Sequence, residues 1–252
     1  MQQSETNSEL DLTRVNYLGP FAAAILLANE LQARKGGQPQ RTRFPIHKPK
    51  VKAFLHFSGL DNHFGNGPAP DTAHPENVTV PLQIVQKATW NAADPIIELV
   101  HRHAVLSEDD ETYLRNSVNE VIQNVEDHAQ SGFGAVYCAR YLATPRKIRV
   151  AIVDRGLGIG TTLATRHPEI QGAEAAIARV VKGGVTAQSR PNNMGVGISN
   201  LWGHITNPLG GEIFIVTEDV LGYSDREGSL RIVPLGVRFA GTGVFFTVPV
   251  DR

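Results

Sequence analysis

Residues 147–160, Lys-Ile-Arg-Val-Ala-Ile-Val-Asp-Arg-Gly-Leu-Gly-Ile-Gly, join two patterns that decide the fold. Ile148, Val150 and Ile152 alternate with Arg149 and Ala151, as a strand with two different faces requires. Asp154 closes the strand, and Gly156, Gly158 and Gly160 follow at alternate positions. Glycines so spaced let the backbone approach a planar ligand, since no Cβ intervenes. The same spacing also suits a plain tight turn. It is not the dinucleotide fingerprint, which needs G-x-G-x-x-G at a helix start and an acid about 20 residues later. No Walker A pattern occurs in the chain.

Just upstream, residues 132–142 alternate well enough for a second strand, so the two predict an antiparallel hairpin. Before that hairpin, Ser107 and Asp110 form a capping-box variant opening a helix to about Ala129. Leu114, Val118, Val121, Ile122 and Val125 share its apolar face. Glu120 and Asn124 stand one turn apart beside that face, with His128 a turn further on. Taken alone, such a stripe is most simply a solvated flank. At the rim of a core it would instead present a carboxylate and an amide to a ligand.

Downstream, residues 183–186 (Gly-Gly-Val-Thr, ending in Thr186) lead into a polar loop through Asn193. Gly195 and Gly197 then open a helix to about Ile205, where free N–H groups and the helix dipole favour an anion. The polar loop has the makings of a lid over a ligand. Residues 212–217 predict a strand, and residues 241–249, Gly-Thr-Gly-Val-Phe-Phe-Thr-Val-Pro, a closing one.

Four motifs thus occur in order: E-x-x-x-N on a helix, Asp-x-Gly-x-Gly after a strand, Gly-x-Gly opening a helix, and Gly-Thr-x-Val-x-Phe-x-Val-Pro. Together they resemble the N, G1 and G2 boxes and final strand of the GHKL ATPase superfamily of gyrase, the large heat-shock chaperone, histidine kinases and MutL. The resemblance spans residues 88–252 and implies a Bergerat-type α/β sandwich, α+β in class, with a mostly antiparallel sheet and helices on one face. It implies ATP and Mg²⁺ as ligands. Asn124 would ligate Mg²⁺, and Asp154 would accept the adenine amino proton. Gly156, Gly158 and Gly160 would make room for the ring. Gly195 and Gly197 would meet the phosphates, with Thr186 on the lid and Thr242 near the adenine. Glu120 takes the place of the water-activating base. Two positions depart from the pattern: Asn193 stands where a further glycine is common, and Asp127 puts an acid near the phosphates.

The first third, residues 1–87, resembles the STAS domain of sulfate transporters and anti-sigma-factor antagonists. The resemblance lies in Leu-Asp-Leu-Thr-Arg-Val-Asn-Tyr-Leu-Gly-Pro-Phe, residues 10–21, and the helix after it. Gly19, Pro20 and Phe21 occupy the place of the phosphorylated serine, so this copy should not be a phosphorylation switch. Pro20 suits the first helical position, and Gly36 and Gly37 end the helix. Residues 34–52 then carry seven basic side chains and no acid. That run is read first as a solvated loop and second as a nucleic-acid contact.

Composition narrows the rest. A net charge of −1 over 252 residues gives no global field toward nucleic acid or membrane. A single cysteine excludes an intrachain disulfide. No signal peptide or spanning apolar run is evident, so a cytoplasmic protein without membrane contact is expected. Histidine autokinase activity is disfavoured, because His101 and His103 lie too near Asn124 for an intervening hairpin and no H-E-x-x-x-P box occurs. The expectation is a slow ATPase or nucleotide-gated regulator acting on a protein partner or its own copy through the first domain. A serine protein kinase of the anti-sigma type and a non-enzymatic nucleic-acid or protein binder are the alternatives.

Overall fold

The computed structural model describes residues 9–44, 47–64, 79–126, 130–183 and 197–250. The strands are β1 (Glu9–Asp11), β2 (Arg41–Arg43), β3 (Thr79–Val85), β4 (Ala135–Ala143), β5 (Arg146–Val153), β6 (Ile213–Ser224) and β7 (Leu230–Pro249). The helices are α1 (Pro20–Lys35), α2 (Pro49–Ser58), α3 (Leu60–His63), α4 (Asp94–His103), α5 (Glu108–Asn124), α6 (Ile159–Ala164), α7 (Gly172–Lys182) and α8 (Gly197–Thr206). Five strands form one antiparallel sheet in the order β3-β4-β5-β7-β6. The class is α+β. No helix among the described residues is long and apolar enough to cross a membrane.

Strand parity divides the core in two. Ala135, Tyr137 and Ala139 of β4, Ile148, Val150 and Ile152 of β5, and Val244, Phe246 and Val248 of β7 face α4, α5, α7 and α8. Val136, Cys138, Ala151, Val153 and Phe245 face the other way, against α1 and α2. Helices therefore cover both faces, where the sequence reading placed them on one. The physical signal is the run of apolar residues at both parities, as in Ala135–Ala139 and Val150–Val153, which marks strands buried on both sides.

Packing also runs across residue 87. β3 pairs with β4 as an edge of the central sheet, with Val80 opposite Ala139 and Ile84 opposite Val136. Leu27, Ala28, Phe54 and Leu60 are fully buried in the core that includes Val136, Ala151 and Phe245. The early helices thus complete the sheet's second layer instead of enclosing a core of their own. β1 and β2 form a separate parallel pair, with α1 as the crossover between them.

α5 begins as expected, with the Ser107 hydroxyl accepting the Asp110 N–H at 3.0 Å and four acids in the first turn. Ser107→Ala should cost about 1 kcal/mol by urea denaturation, the usual worth of such a cap. Asp94 is the first residue of α4. Its carboxylate turns to Arg115 of α5. The Ala93 N–H donates instead to Asn119 Oδ1 at 2.8 Å, while Asn119 Nδ2 donates to the Trp90 carbonyl at 2.7 Å. α5 therefore holds the segment that leads into α4.

Candidate functional site

β5, β7 and β6 lie side by side, and the same ends of all three carry polar residues on the α5 side of the sheet. Asp154 continues the parity of Ile152, and its N–H donates to the Thr242 carbonyl at 2.8 Å. Thr242 continues the parity of Val244 and is paired with Thr217 on β6. Asp154 is 3% exposed and Thr217 is fully buried. A carboxylate and two hydroxyl residues therefore replace the hydrocarbon of the core at this one end.

The loop after Asp154 is tied down at each glycine. The Gly156 N–H donates to Asp154 Oδ1 at 2.7 Å. Gly158 has φ +88°, and a Cβ there would lie 2.9 Å from Thr217 Oγ1 and 2.9 Å from Glu218 Cγ. At Gly160 the corresponding space is taken by the Glu218 carboxylate and the Ala173 backbone. Thr217 Oγ1 accepts from the Ile159 N–H at 3.0 Å and donates to the Gly241 carbonyl at 3.0 Å. Glu218 Oε1 accepts from Thr161 Oγ1 at 2.6 Å. Thr217 and Glu218 are site residues that motif reading missed. Their signal was weak: a threonine ending an otherwise apolar strand, followed by an acid that here adopts φ +50° at a bulge.

On the opposing wall, α8 comes up against α5. A Cβ on Gly197 would fall 2.8 Å from Glu120 Cβ, 2.9 Å from Glu120 Oε2 and 3.5 Å from Asn124 Nδ2. Glu120, Asn124 and the first residue of α8 are thus brought together, and only glycine fits between them. At the far end of this helix pair, His204 Nε2 lies 3.2 Å from the Asp110 carbonyl, and its ring packs 4.9 Å from Tyr113. Thr186 and Gly195, with Asp127, His128 and Asn193, lie outside the described residues.

Burial sets the electrostatics. It raises the Asp154 pKa to about 6, against the opposing pull of the Gly156 and Thr242 backbone and of Arg155. Arg155 stacks its guanidinium 4.9 Å above the Phe239 ring. Glu120 is also raised above its ordinary 4.5 by burial. Two carboxylates, one deep at the sheet end and one at a helix rim, therefore border one core, both raised by burial.

Beside the Asp154 loop lies a cavity of about 350 Å³ lined by Gly160, Thr161, Gly172, Glu218, Asp219 and Arg238, among others. Of the predicted site residues it includes only Gly160. Among the described residues, no group of three or more His, Cys, Asp or Glu side chains gathers to hold a metal. The basic run at 34–52 is partly spent within the fold. Arg34 bonds Glu30 and the His63 carbonyl, Arg43 bonds Glu9, and Lys48 contacts Asn16. Arg41, Lys50 and Lys52 are exposed.

Compared with known proteins, the chain matches no family model and no curated protein.

Proposed function

We propose that this chain binds Mg²⁺-ATP between the Asp154 end of the sheet and the Glu120–Asn124 rim of α5, as a GHKL-type nucleotide-binding protein with a Bergerat-type sandwich. The observation that carries the reading is Asp154: a carboxylate nine-tenths buried, held by the Gly156 N–H, and facing the same side as α5. Among the described residues no cationic side chain is in hydrogen-bond contact with it; burying an acid in this way is costly, and a ligand donor would offset that cost. An acceptor there suits the amino group of adenine and repels the carbonyl of guanine.

The residues present fit the implied ion. The Asn124 amide oxygen would hold Mg²⁺, which keeps most of its shell for water and phosphate oxygens and so needs no cage of protein carboxylates. When bound, the ion would neutralise charge on the phosphates. Glu120 stands one turn from Asn124. Burial makes it a stronger base than a solvated glutamate. It would take the proton of an attacking water. Gly197 lets the α8 N-terminus approach both residues.

The parallel β1-α1-β2 crossover supports a reduced STAS-like unit, here fused onto the sheet's second face. In that arrangement nucleotide state on one face of the sheet would reach a protein partner bound on the other. Asn124→Ala should lose at least tenfold in Mg²⁺-dependent ATP affinity by calorimetry while its circular dichroism spectrum is unchanged. Equal affinity of wild type and variant, or equal binding of ATP and GTP by the wild type, would rule the reading out.

A further inference from the structure

The opposite face of the sheet carries two arginines that no motif explains. Arg140 on β4 and Arg149 on β5 are direct cross-strand partners. They face α1 and α2, with Thr79 beside Arg140 on β3 and Thr247 beside Arg149 on β7. Like charges directly opposite are destabilising unless something offsets them. Among the described residues neither guanidinium has a carboxylate within ion-pair distance. Glu212, beyond Thr247 at the end of the same row, pairs with Lys147 at 2.9 Å. Arg140 Nε is buried without a hydrogen-bond partner.

Both guanidiniums are nevertheless held in place. Arg140 lies 4.9 Å above the Phe54 ring, and Arg149 lies 5.7 Å from the Tyr17 ring centroid. Arg149 Nη1 donates to the Tyr17 hydroxyl at 2.6 Å. That leaves the Tyr17 O–H proton with no acceptor among the described residues. Gly19 makes the arrangement possible, since a Cβ there would stand 2.8 Å from Tyr17 Oη. The start of α1 lies alongside: Cys138, one same-face step before Arg140, bonds the Pro20 carbonyl at 3.6 Å. Gly19 caps α1 without a side-chain bond, and its first turn has no acid. Two guanidiniums, a phenolic hydroxyl and a helix start without a side-chain cap therefore lie together with no anion among the described residues there.

The geometry points to a binding site for a phosphate group, formed by Arg140, Arg149 and Tyr17 at the N-terminus of α1. Two planar guanidinium forks match a tetrahedral dianion better than a monovalent carboxylate. Tyr17, 56% exposed, leaves the site open at the surface, so the phosphate can be free or carried on a larger molecule. The site lies on the other side of the sheet from the nucleotide pocket and does not depend on it.

Calorimetric titration of the full chain tests this, using inorganic phosphate in one arm and phosphoserine in the other, with chloride balancing ionic strength. Wild type should bind phosphate, and Arg140→Gln/Arg149→Gln should weaken it at least tenfold. Tyr17→Phe, which removes the hydroxyl that accepts from Arg149 and keeps the ring, should weaken it about threefold to tenfold with an unchanged circular dichroism spectrum. Tighter binding of phosphoserine would assign the site to a phosphorylated partner, and tighter inorganic phosphate to the free ion. Absence of binding by the wild type overturns the proposal, as does binding unaffected by both variants. Binding lost in Asn124→Ala but kept in the double variant would place the phosphate in the nucleotide pocket and equally overturn it.

Discussion

Asp154→Asn should make the protein more stable without ligand and worse at binding ATP. The sign follows from linkage. In the folded chain Asp154 holds its proton up to about pH 6, against 3.8 for an ordinary aspartate. Between those values the folded state binds more protons than the unfolded one, so this group's contribution to stability falls as pH rises. Below the lower value nothing is lost. Above the upper one the cost of ionising a buried carboxylate is complete, about 3 kcal/mol at about 1.4 kcal/mol per tenfold. Asparagine keeps an oxygen for the Gly156 N–H and carries no charge at any pH. The variant should match wild type near pH 3.5 and exceed it by about 1–3 kcal/mol at pH 8, since its amide hydrogens must also find partners. Urea unfolding across that range measures the difference. ATP affinity should move the other way. A donor on adenine favours the ionised carboxylate, so wild-type affinity should drop as pH falls through about 6. In the variant that slope should vanish and affinity should fall by about 1–3 kcal/mol, the scale of a hydrogen bond to a charged group. A variant less stable than wild type at pH 8 would mean that the buried carboxylate is a structural anchor rather than a strained binding group.

What the sequence made legible follows from where local chemistry decides. The Ser107 cap, the Pro20 start and the 135–153 hairpin depend on neighbours a few residues apart, and all are found close to where they are expected. The meeting of Gly197 with Glu120 and Asn124 was readable only as an order of motifs; its close approach comes from helix packing. The rest depended on distant partners. β3 looks like an isolated short strand until β4 supplies its ladder. Alternation in 147–153 suggested one buried face because Arg149 sits on the other. Arg149 is in fact at the margin of a second core, and Ala151 and Val153 lie inside it. The outer half of the β6–β7 hairpin went unassigned because Pro234 and exposed charges such as Arg231 and Arg238 interrupt its pattern. α7 could have been found: Ala173, Ala176, Ile177 and Val180 repeat at helical spacing and are all buried.

Gly241→Ala should be among the most damaging single changes in the chain, and Gly236→Ala on the same strand isolates the reason. Both glycines have positive φ, +93° and +69°. An alanine forced into that region costs about 1–2 kcal/mol by itself. At Gly236 nothing stands within 4 Å of the new Cβ, so that strain should be nearly the whole effect. At Gly241 the new Cβ would meet the Asp154 carbonyl oxygen and come within 2.7 Å of Arg155 Cα. Backbone on a neighbouring strand cannot step aside as a side-chain tip can. Relief requires opening the β5–β7 ladder beside the Asp154 N–H to Thr242 carbonyl bond. The Gly241 carbonyl, which accepts from Thr217 Oγ1, would shift with it. The total should reach about 3 kcal/mol or more, the range of strain combined with a lost buried contact. Urea midpoints give both numbers, and near-equal losses at 241 and 236 would show that β7 relaxes freely past Asp154. The comparison with Asp154→Asn then separates two ways of losing the ligand. One variant should weaken ATP binding while the fold gains stability, by removing the group the ligand needs. The other should weaken it with a loss of stability, by moving the sheet end that holds that group.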